Sequence, residues 1–225
     1  MVANKGIGEG QADVSVVKVD GYGEAAWETT DRRGGLDWAR AIFSSDDGGC
    51  VLLGSGFMLK VDGSGNKVWE RPYGGSSMSK ASDGGFVATG RKNTYKTDDE
   101  GNKVWDKKHY LEGVWPVFDD EWDSVAGIAG TDDHGCVLAE DVWKDLRVQK
   151  IDGDCEEVRD RIYGSRTILV DLVSSGDGGH VVAGSRHVEG GSGAYIVKVD
   201  GGRNAVWEMD HWTTGYKSTQ CHCPQ

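Results

Sequence analysis

The sequence predicts an all-β protein built from repeated units of four short antiparallel strands. Glycine is abundant, with 35 residues against 3 prolines, and the glycines are spaced along the chain as hairpin turns require. One pattern, Lys-x-Asp followed by tryptophan, returns along the chain, and a second pattern rich in Asp-Gly alternates with it. Together these observations indicate one small sheet for each copy of the repeat.

The Lys-x-Asp pattern occurs five times, and four copies carry tryptophan seven residues after the aspartate. The copies are Lys18-Asp20-Trp27, Lys60-Asp62-Trp69, Lys96-Asp98-Trp105, Lys150-Asp152-Arg159 and Lys198-Asp200-Trp207. The aspartate begins a tight turn in which it caps its own backbone, and the tryptophan opens the next strand. Because these tryptophans repeat with the unit, we interpret them as anchors of the core between units.

The second pattern consists of four turns rich in aspartate and glycine, each followed by a short apolar run. The turns are Asp46–Gly49, Ser82–Gly85, Asp132–Gly135 and Gly176–Gly179. Such dipeptides supply the positive-φ positions of tight hairpins. In the second unit the patterns predict strands over Trp38–Ser45, Cys50–Gly54, Phe57–Asp62 and Lys67–Arg71.

Units of four strands with a mean length of about 45 residues are typical of the blades of a β-propeller. Successive Lys-x-Asp copies are 42, 36, 54 and 48 residues apart. A solenoid needs nearly constant rungs, whereas a propeller accepts connections of different length between blades. The sequence therefore predicts a five-bladed β-propeller of four-stranded antiparallel blades.

The two ends of the chain resemble the halves of one interrupted hairpin. Val2–Lys5 aligns with the second strand of a blade, and Thr213–Cys221 has the position and length of a first strand. We expect this C-terminal first strand to join the three N-terminal strands and close the ring without an open sheet edge. The alternative is a fragment of a longer array. The predicted single domain spans 1–225, with blades at 213–222 plus 1–30, 36–72, 76–108, 122–162 and 166–211.

The repeat resembles the β-propeller repeats of bacterial and archaeal surface proteins. It is also similar to the quinoprotein-like repeat with its Asp-x-x-Gly-x-x-x-Trp motif, here Asp62 to Trp69. The resemblance covers nearly the whole chain and implies the fold and an extracellular or cell-surface location, although the N-terminal residues lack the apolar stretch of a signal peptide. It implies little about activity, because the repeated residues are structural. Five blades rather than eight argue against a quinone, so we expect no cofactor.

The acidic charge narrows the classes of partner. The formal net charge is −12 and the isoelectric point is near 4.9, which argues against nucleic acid and against anionic membranes. No apolar run is long enough to span a membrane. Calcium, cationic partners and neutral sugars remain open, although the turn aspartates lack the dense spacing of a calcium loop.

A long connection between two blades carries the main candidate ligand-binding residues. The segment 109–123 mixes aromatic rings with carboxylates that the repeat does not require, among them Tyr110, Trp115, Asp119, Asp120 and Trp122. Aromatic rings stack on sugars or cations, and carboxylates accept hydroxyl hydrogen bonds. The alternative is a loop that buries its own aromatic rings.

Other departures from the repeat fall on the same edge of the predicted blades. Trp143 lies where other blades have a short turn, Arg186 and His187 begin a glycine-rich loop, and Trp38 follows the first connection between blades. We expect these residues to extend the binding surface; the alternative for each is a solvated loop.

Two further sets of residues carry alternative chemistry. Asp171 aligns with small residues of other blades and is expected to face the central channel, where burial would raise its pKa or a neighbouring cation would pair with it. With Asp119 and Asp123 it would supply the acid and base of an enzyme. Cys221, His222 and Cys223 are suitable ligand types for zinc, but alternate side chains of a strand point to opposite faces, so we expect no metal site.

Three functions stay open on the sequence. The first is a non-catalytic recognition module that binds a glycan or a protein through the aromatic and acidic loops. The second is a glycoside hydrolase or lyase acting at the channel mouth. The third is a structural subunit of a larger assembly.

Overall fold

The computed structural model describes residues 2–8, 11–32, 38–90, 93–108, 125–142, 145–165, 167–188, 191–202, 204–212 and 220–222. In these residues the chain forms five antiparallel sheets, numbered 1 to 5 in chain order. Within each sheet the strands follow their order in the sequence, so that tight turns join neighbouring strands. The described residues include no helix that is long and apolar enough to cross a membrane.

Sheet 1 contains β1 (Val2–Gly8), β2 (Gln11–Val19) and β3 (Ala25–Asp31). Sheet 2 contains β4 (Ala39–Ser44), β5 (Cys50–Gly54), β6 (Met58–Val61) and β7 (Lys67–Arg71). Sheet 3 contains β8 (Ser77–Lys80), β9 (Phe86–Thr89), β10 (Asn93–Thr97) and β11 (Lys103–Lys108). Sheet 4 contains β12 (Val125–Gly130), β13 (Cys136–Val142), β14 (Asp145–Ile151) and β15 (Glu157–Ser165). Sheet 5 contains β16 (Thr167–Ser174), β17 (His180–Val188), β18 (Gly191–Val199), β19 (Ala205–Trp212) and β20 (Gln220–His222).

Four apolar clusters fill the spaces between successive sheets. Leu52 faces back to sheet 1 and Leu53 faces forward to sheet 3, because neighbouring side chains of a strand point to opposite faces. The same alternation places Leu138 against sheet 3 and Val137 against sheet 5. The first strands follow the same order, since β4 contacts β8, β8 contacts β12, and β12 contacts β16. Successive face-to-face packing of small sheets confirms the predicted all-β, propeller-like architecture.

Trp27, Trp69 and Trp105 pack against the apolar clusters between sheets, as the sequence predicts. Trp27 of sheet 1 donates its indole N–H to the carbonyl of Gly63 in the turn of sheet 2, at 2.8 Å. A Cβ atom added to Gly65 of the same turn would lie 2.9 Å from the Trp27 ring. Trp69 covers Gly101 of sheet 3 in the same way, at 2.8 Å. Because Gly65 and Gly101 have no side chain, the tryptophan of the preceding sheet can pack directly against each turn.

Sheet 4 departs from this pattern on both sides of its tight turn. Cys155 occupies the glycine position with a φ of 71°, where a Cβ atom is unfavourable. Arg159 replaces the tryptophan, and its guanidinium donates to the carbonyl of Gly202 in the turn of sheet 5. The arginine thus keeps a hydrogen bond to the next turn, as Trp27 does, but lacks the aromatic surface.

The first strands of three sheets carry a bulge that the sequence does not predict. The register shifts between Ala39 and Ala41 in β4, and the equivalent shifts occur in β12 and β16. Directly after the bulge of β12, a Cβ atom added to Gly127 would lie 2.6 Å from the Cβ atom of Leu172 in β16. The small residues aligned at this position therefore allow the first strands of neighbouring sheets to approach closely.

The C-terminal strand β20 pairs antiparallel with β19, with Asp210 opposite Gln220, whereas Thr213–Cys221 was expected to pair with the N-terminal strands. Residues 213–219 lie outside the described residues, and closure of the ring stays a prediction. Sheet 1 accordingly has three strands in the described part of the chain. The outer edge of β19 offers unpaired backbone groups, and a short strand that follows it in sequence satisfies them locally.

Candidate functional site

The sheets have two edges of different character. In sheets 2 to 5, the edge named here the Asp-Gly edge carries the hairpins between first and second strands and between third and fourth strands. In sheet 1 the equivalent Lys-x-Asp hairpin, between β2 and β3, belongs to this edge. The opposite edge, named the loop edge, carries in sheets 2 to 5 the hairpins between second and third strands and the connections between sheets. Because strands run antiparallel, the two kinds of turn on each edge lie side by side.

On the Asp-Gly edge, each lysine of the Lys-x-Asp pattern in sheets 2 to 5 meets an aspartate of the preceding turn. The distances from the lysine Nζ to the carboxylate are 3.3 Å for Lys60–Asp47, 2.5 Å for Lys96–Asp83, 2.5 Å for Lys150–Asp133 and 2.6 Å for Lys198–Asp177. Three of these lysines are buried, so that their charges depend on the partner carboxylate. The two sequence patterns are therefore joined by lysine–aspartate salt bridges, which hold the two hairpins of each sheet together.

The aspartates of these turns have lowered pKa values. Hydrogen bonds from the Ser45 hydroxyl and the Gly49 N–H hold the pKa of Asp47 at about 2. The pKa of Asp177 is lowered by its bonds to Lys198 and Ser175. These carboxylates remain charged at neutral pH and are already bonded to a lysine and to groups of their own turn, so they are poorly suited to bind a ligand.

We expect acid to weaken these lysine–aspartate salt bridges. Because the folded-state pKa values are lowered, the contribution to stability is present above pH 4 and is lost as the pH falls toward about 2. We expect the urea midpoint to fall steeply between pH 4 and pH 2.5, and Asp47→Asn to reduce the steepness. The check is urea unfolding followed by circular dichroism at pH 7, 4 and 2.5. An equal urea midpoint at all three pH values would contradict the claim that the ionised turn aspartates stabilise the fold.

The aspartates of the Lys-x-Asp turns cap their own backbone, as expected. The Asp62 carboxylate accepts the N–H groups of Ser64 and Asn66 at 2.8 and 2.9 Å. Asp20 and Asp152 do the same in sheets 1 and 4. No group of three or more potential metal-ligating side chains occurs among the described residues.

Most of the predicted ligand-binding residues lie outside the described residues. These are Tyr110, Trp115, Asp119, Asp120, Trp122, Asp123 and Trp143, together with Cys223 of the weak metal candidate. Cys221 and His222 lie in β20. The structure therefore describes four of the predicted site residues in more detail, which are Trp38, Asp171, Arg186 and His187.

Trp38 combines a fixed backbone with an exposed side chain. Its carbonyl accepts hydrogen bonds from the N–H and the hydroxyl of Ser55, at 3.0 and 3.3 Å. Ser55 belongs to the hairpin between β5 and β6, so Trp38 lies on the loop edge. The side chain is nevertheless 45% exposed. A large exposed ring carried on a hydrogen-bonded backbone is suited to contact a partner.

Arg186 is engaged inside its own sheet. Its guanidinium lies 3.6 Å from the centre of the Tyr195 ring and donates to Asp210 at 2.9 and 3.1 Å. The Tyr195 hydroxyl donates to Glu208 at 2.8 Å, and burial followed by this carboxylate raises the pKa of Tyr195. Arg186 is therefore a structural residue of the loop edge, while the adjacent His187 is exposed.

Asp171 is exposed rather than enclosed. It lies in β16 directly after the bulge, opposite Ala183. Its carboxylate accepts the N–H of Leu172 at 2.8 Å. This local bond uses one lone pair of the carboxylate, and the side chain is exposed.

A charged group on the loop half of sheet 4 was missed by the sequence analysis. Arg147 donates from two nitrogens to Asp160 at 2.9 and 2.8 Å, and Glu140 lies 4.0 Å away. Asp160 holds the pKa of Arg147 above its usual value. In the repeat, Glu140 stands where sheets 2 and 5 have Gly54 and Gly184. This replacement of glycine by a buried carboxylate was the available signal, but it lies inside a strand rather than a loop.

The fold has relatives among solved structures. The chain is 15% identical to the Neurospora crassa Pan2 WD40 domain, with a TM-score of 0.60, covering 89% of this chain and 68% of that one. It is 13% identical to a streptogramin B lyase, with a TM-score of 0.57 and coverage of 96% and 76%. A protein of unknown function from Bacteroides caccae matches at 11% identity and a TM-score of 0.52, with coverage of 88% and 90%.

No family model matches the chain, and the comparison with curated proteins gives no match. At these identities the structural likeness shows the fold alone, and it agrees with the propeller-like packing of the sheets. The repeat family and the surface location remain predictions.

Proposed function

We propose that this chain is a non-catalytic recognition module that binds a protein partner on its loop edge, carried by a single five-bladed propeller. The single observation that carries the proposal is Trp38, whose side chain is 45% exposed while its backbone is hydrogen-bonded to Ser55. Large aromatic residues are enriched where proteins bind proteins. Aspartates of the Asp-Gly edge, by contrast, are bonded to lysines of their own sheets.

The loop edge also has the variation that recognition requires. The charged group of Glu140, Arg147 and Asp160 interrupts the repeat in sheet 4, and Arg186 with Asp210 does so in sheet 5. The connection 109–123 leaves from the same edge after β11, and we propose that its Trp115 and Trp122 belong to the same surface. Function in repeat proteins lies where the repeat is broken.

The negative charge of the chain favours a partner with basic residues. A net charge of −12 favours association with a protein that presents basic residues around an apolar pocket for an indole ring. A glycan would use the same aromatic residues and is the second possible ligand. The enzymatic alternative has less support, because Asp171 is exposed and bonded to the backbone of its own strand.

We expect Trp38→Ala to reduce binding of the partner at least about tenfold, as truncation of an interface aromatic does. The matched control is Tyr22→Ala, because Tyr22 is also aromatic and is 95% exposed but lies on the Asp-Gly edge. Partners captured by the immobilised wild-type chain are identified by mass spectrometry, and their affinities for both variants are measured by interferometry.

Equal affinity for wild type and Trp38→Ala, or loss of binding in Tyr22→Ala, would contradict the proposal. A thermal-shift panel of oligosaccharides runs alongside it. A sugar that stabilises wild type but not Trp38→Ala would assign the edge to glycans and overturn the protein partner.

A further inference from the structure

The interface between sheets 3 and 4 is polar in the half that lies toward the loop edge. Thr89 and Thr94 of sheet 3 face sheet 4, because neighbouring side chains alternate and Val87 packs against sheet 4. Both threonines are 0% exposed, and the Thr94 hydroxyl donates to that of Thr89 at 3.1 Å. At the same positions, sheet 2 directs Leu53 and Met58 into its apolar contact with sheet 3. Hydroxyl groups thus replace apolar side chains at this interface.

Sheet 4 presents buried polar side chains to the same interface. Gln149 lies opposite Leu138, which packs toward sheet 3, and the pair of Glu140 and Arg147 follows on the same face. Gln149 is 3% exposed and Glu140 is 6% exposed. The residues equivalent to Gln149 in sheets 2, 3 and 5 are Leu59, Tyr95 and Val197. A buried amide therefore stands where the repeat has an apolar or aromatic side chain.

One atom of this amide lacks a partner in the part of the chain that the structure describes. The Gln149 Nε2 donates to Glu157 at 2.6 Å, whereas the buried carbonyl oxygen Oε1 accepts no hydrogen bond from the described residues. A buried acceptor of this kind is usually satisfied by water or by a bound donor. Because the two atoms belong to one amide group, the carbonyl oxygen lies close to the Glu157 carboxylate. An external donor at this place would therefore meet a negative charge as well.

The repeat lysine of the fourth strand is missing in sheet 4. Lys67 in sheet 2 pairs with Glu70 at 2.8 Å, three residues further along the strand. Lys103 and Asp106 form the equivalent pair in sheet 3. Sheet 4 has Glu157 at the position of these lysines, so a carboxylate replaces the ammonium group.

The other carboxylates of this part of sheet 4 share one guanidinium. Asp160 accepts from two nitrogens of Arg147, and Glu140 lies 4.0 Å from the same side chain. Glu157 accepts from the neutral amide of Gln149. Three carboxylates thus surround one basic side chain in this group of described residues, whereas the equivalent pairs of sheets 2 and 3 are balanced.

We infer that this group binds a lysine side chain of the partner, and this inference rests on the proposed function. The lysine ammonium donates to Oε1 of Gln149 and neutralises the carboxylates of Glu157 and Asp160. Both carboxylates are exposed on β15 while Gln149 is buried, so a long side chain is needed to reach the amide. Lys107 of sheet 3 is engaged elsewhere, since it donates to the Cys155 carbonyl at 3.2 Å. A metal ion is a poorer fit, because the described residues contain no group of three suitable ligands.

The probe for this site is n-butylammonium chloride, which has the ammonium group and the alkyl chain of lysine. At about 100 mM it should raise the Tm of the wild type by about 1–3 °C relative to sodium chloride at the same concentration. Glu157→Lys should abolish this shift, because its own ammonium group fills the site as Lys67 and Lys103 do in sheets 2 and 3. Glu156→Lys is the matched control, with the same change of charge at the preceding exposed residue, and should keep the shift.

A second variant tests the buried acceptor. Gln149→Leu introduces the side chain that sheet 2 has at this position, so it should fold, and it should reduce the n-butylammonium shift by at least about half. The inference is overturned if n-butylammonium stabilises the wild type no more than sodium chloride does. It is also overturned if the shift survives in Glu157→Lys or is unchanged in Gln149→Leu.

Affinity for the captured partner tests whether the ligand is a lysine of that partner. Glu157→Lys should weaken binding at least about tenfold, and Glu156→Lys less than about twofold. Equal losses in the two variants would show a general effect of charge and would overturn the inference. The proposed function fails separately if Trp38→Ala keeps full affinity, because that variant leaves the n-butylammonium shift unchanged.

Discussion

Replacing Tyr95 by alanine should destabilise the protein by about 3–5 kcal/mol, the usual cost of removing a buried aromatic ring. Tyr95 is fully buried between sheets 2 and 3. Its ring meets Tyr73 edge to face, with centroids 5.4 Å apart, and its hydroxyl donates to the Gly74 carbonyl at 3.3 Å. No neighbouring side chain can fill the space, because the sheets on both sides are held by their own hydrogen bonds.

Urea unfolding at pH 7 measures this loss. Tyr95→Phe separates the ring from the hydroxyl and should cost about 1 kcal/mol. Tyr22→Ala serves as an exposed aromatic control and should change stability by less than about 0.5 kcal/mol. If Tyr95→Ala costs no more than Tyr95→Phe, the interface between sheets 2 and 3 does not have the packing described.

The second large effect concerns the buried lysines of the Asp-Gly edge. Asp133→Ala should cost about 2–4 kcal/mol, because it leaves the buried Lys150 ammonium without its carboxylate. The side chain of Lys150 is 5% exposed and lies 2.5 Å from Asp133. This cost is smaller than that of breaking a fully buried ion pair, because Asp133 is 51% exposed. In addition, the Thr131 hydroxyl still accepts a hydrogen bond from the lysine.

Two matched variants distinguish an unpaired charge from loss of the turn. The double change Asp133→Ala with Lys150→Met removes both charges and should recover stability to within about 1 kcal/mol of wild type. Asp46→Ala breaks an exposed pair with Lys80 and should cost less than about 0.5 kcal/mol. A double variant as unstable as Asp133→Ala would show that the aspartate acts through the turn and not through the lysine.

Features that depend on local sequence were predictable. Aspartates and glycines at fixed offsets predict the turns, and the four strands expected in the second unit are observed within one residue of their expected ends. Cys50 and Cys136 follow the Asp-Gly turns at the same position of the repeat, and both are buried. The docking of Trp27 follows from the regular spacing of glycine and tryptophan, because a residue that returns with every unit must perform a task common to all units.

Features that depend on distant contacts were not predictable. The pairing of β20 with β19 depends on which sheet edge lies near the strand. The alternation of apolar and polar residues in the sequence can indicate a strand, but it does not identify the strand's partner. The pairing of Lys150 with Asp133 joins two motifs that were interpreted separately. Glu140 begins the departure from the repeat around Trp143, which was interpreted as lying where other blades have a short turn, whereas Glu140 lies within β13. Its approach to Arg147 depends on the pairing of β13 with β14.

The central claim, that recognition occurs on the loop edge, is tested most directly by hydrogen exchange of the chain with and without its captured partner. The account predicts slower exchange in peptides around Trp38 and in the hairpin between β5 and β6, with unchanged exchange in the turns Asp46–Gly49 and Asp132–Gly135. Slower exchange confined to those Asp-Gly turns would place the partner on the opposite edge and contradict the account.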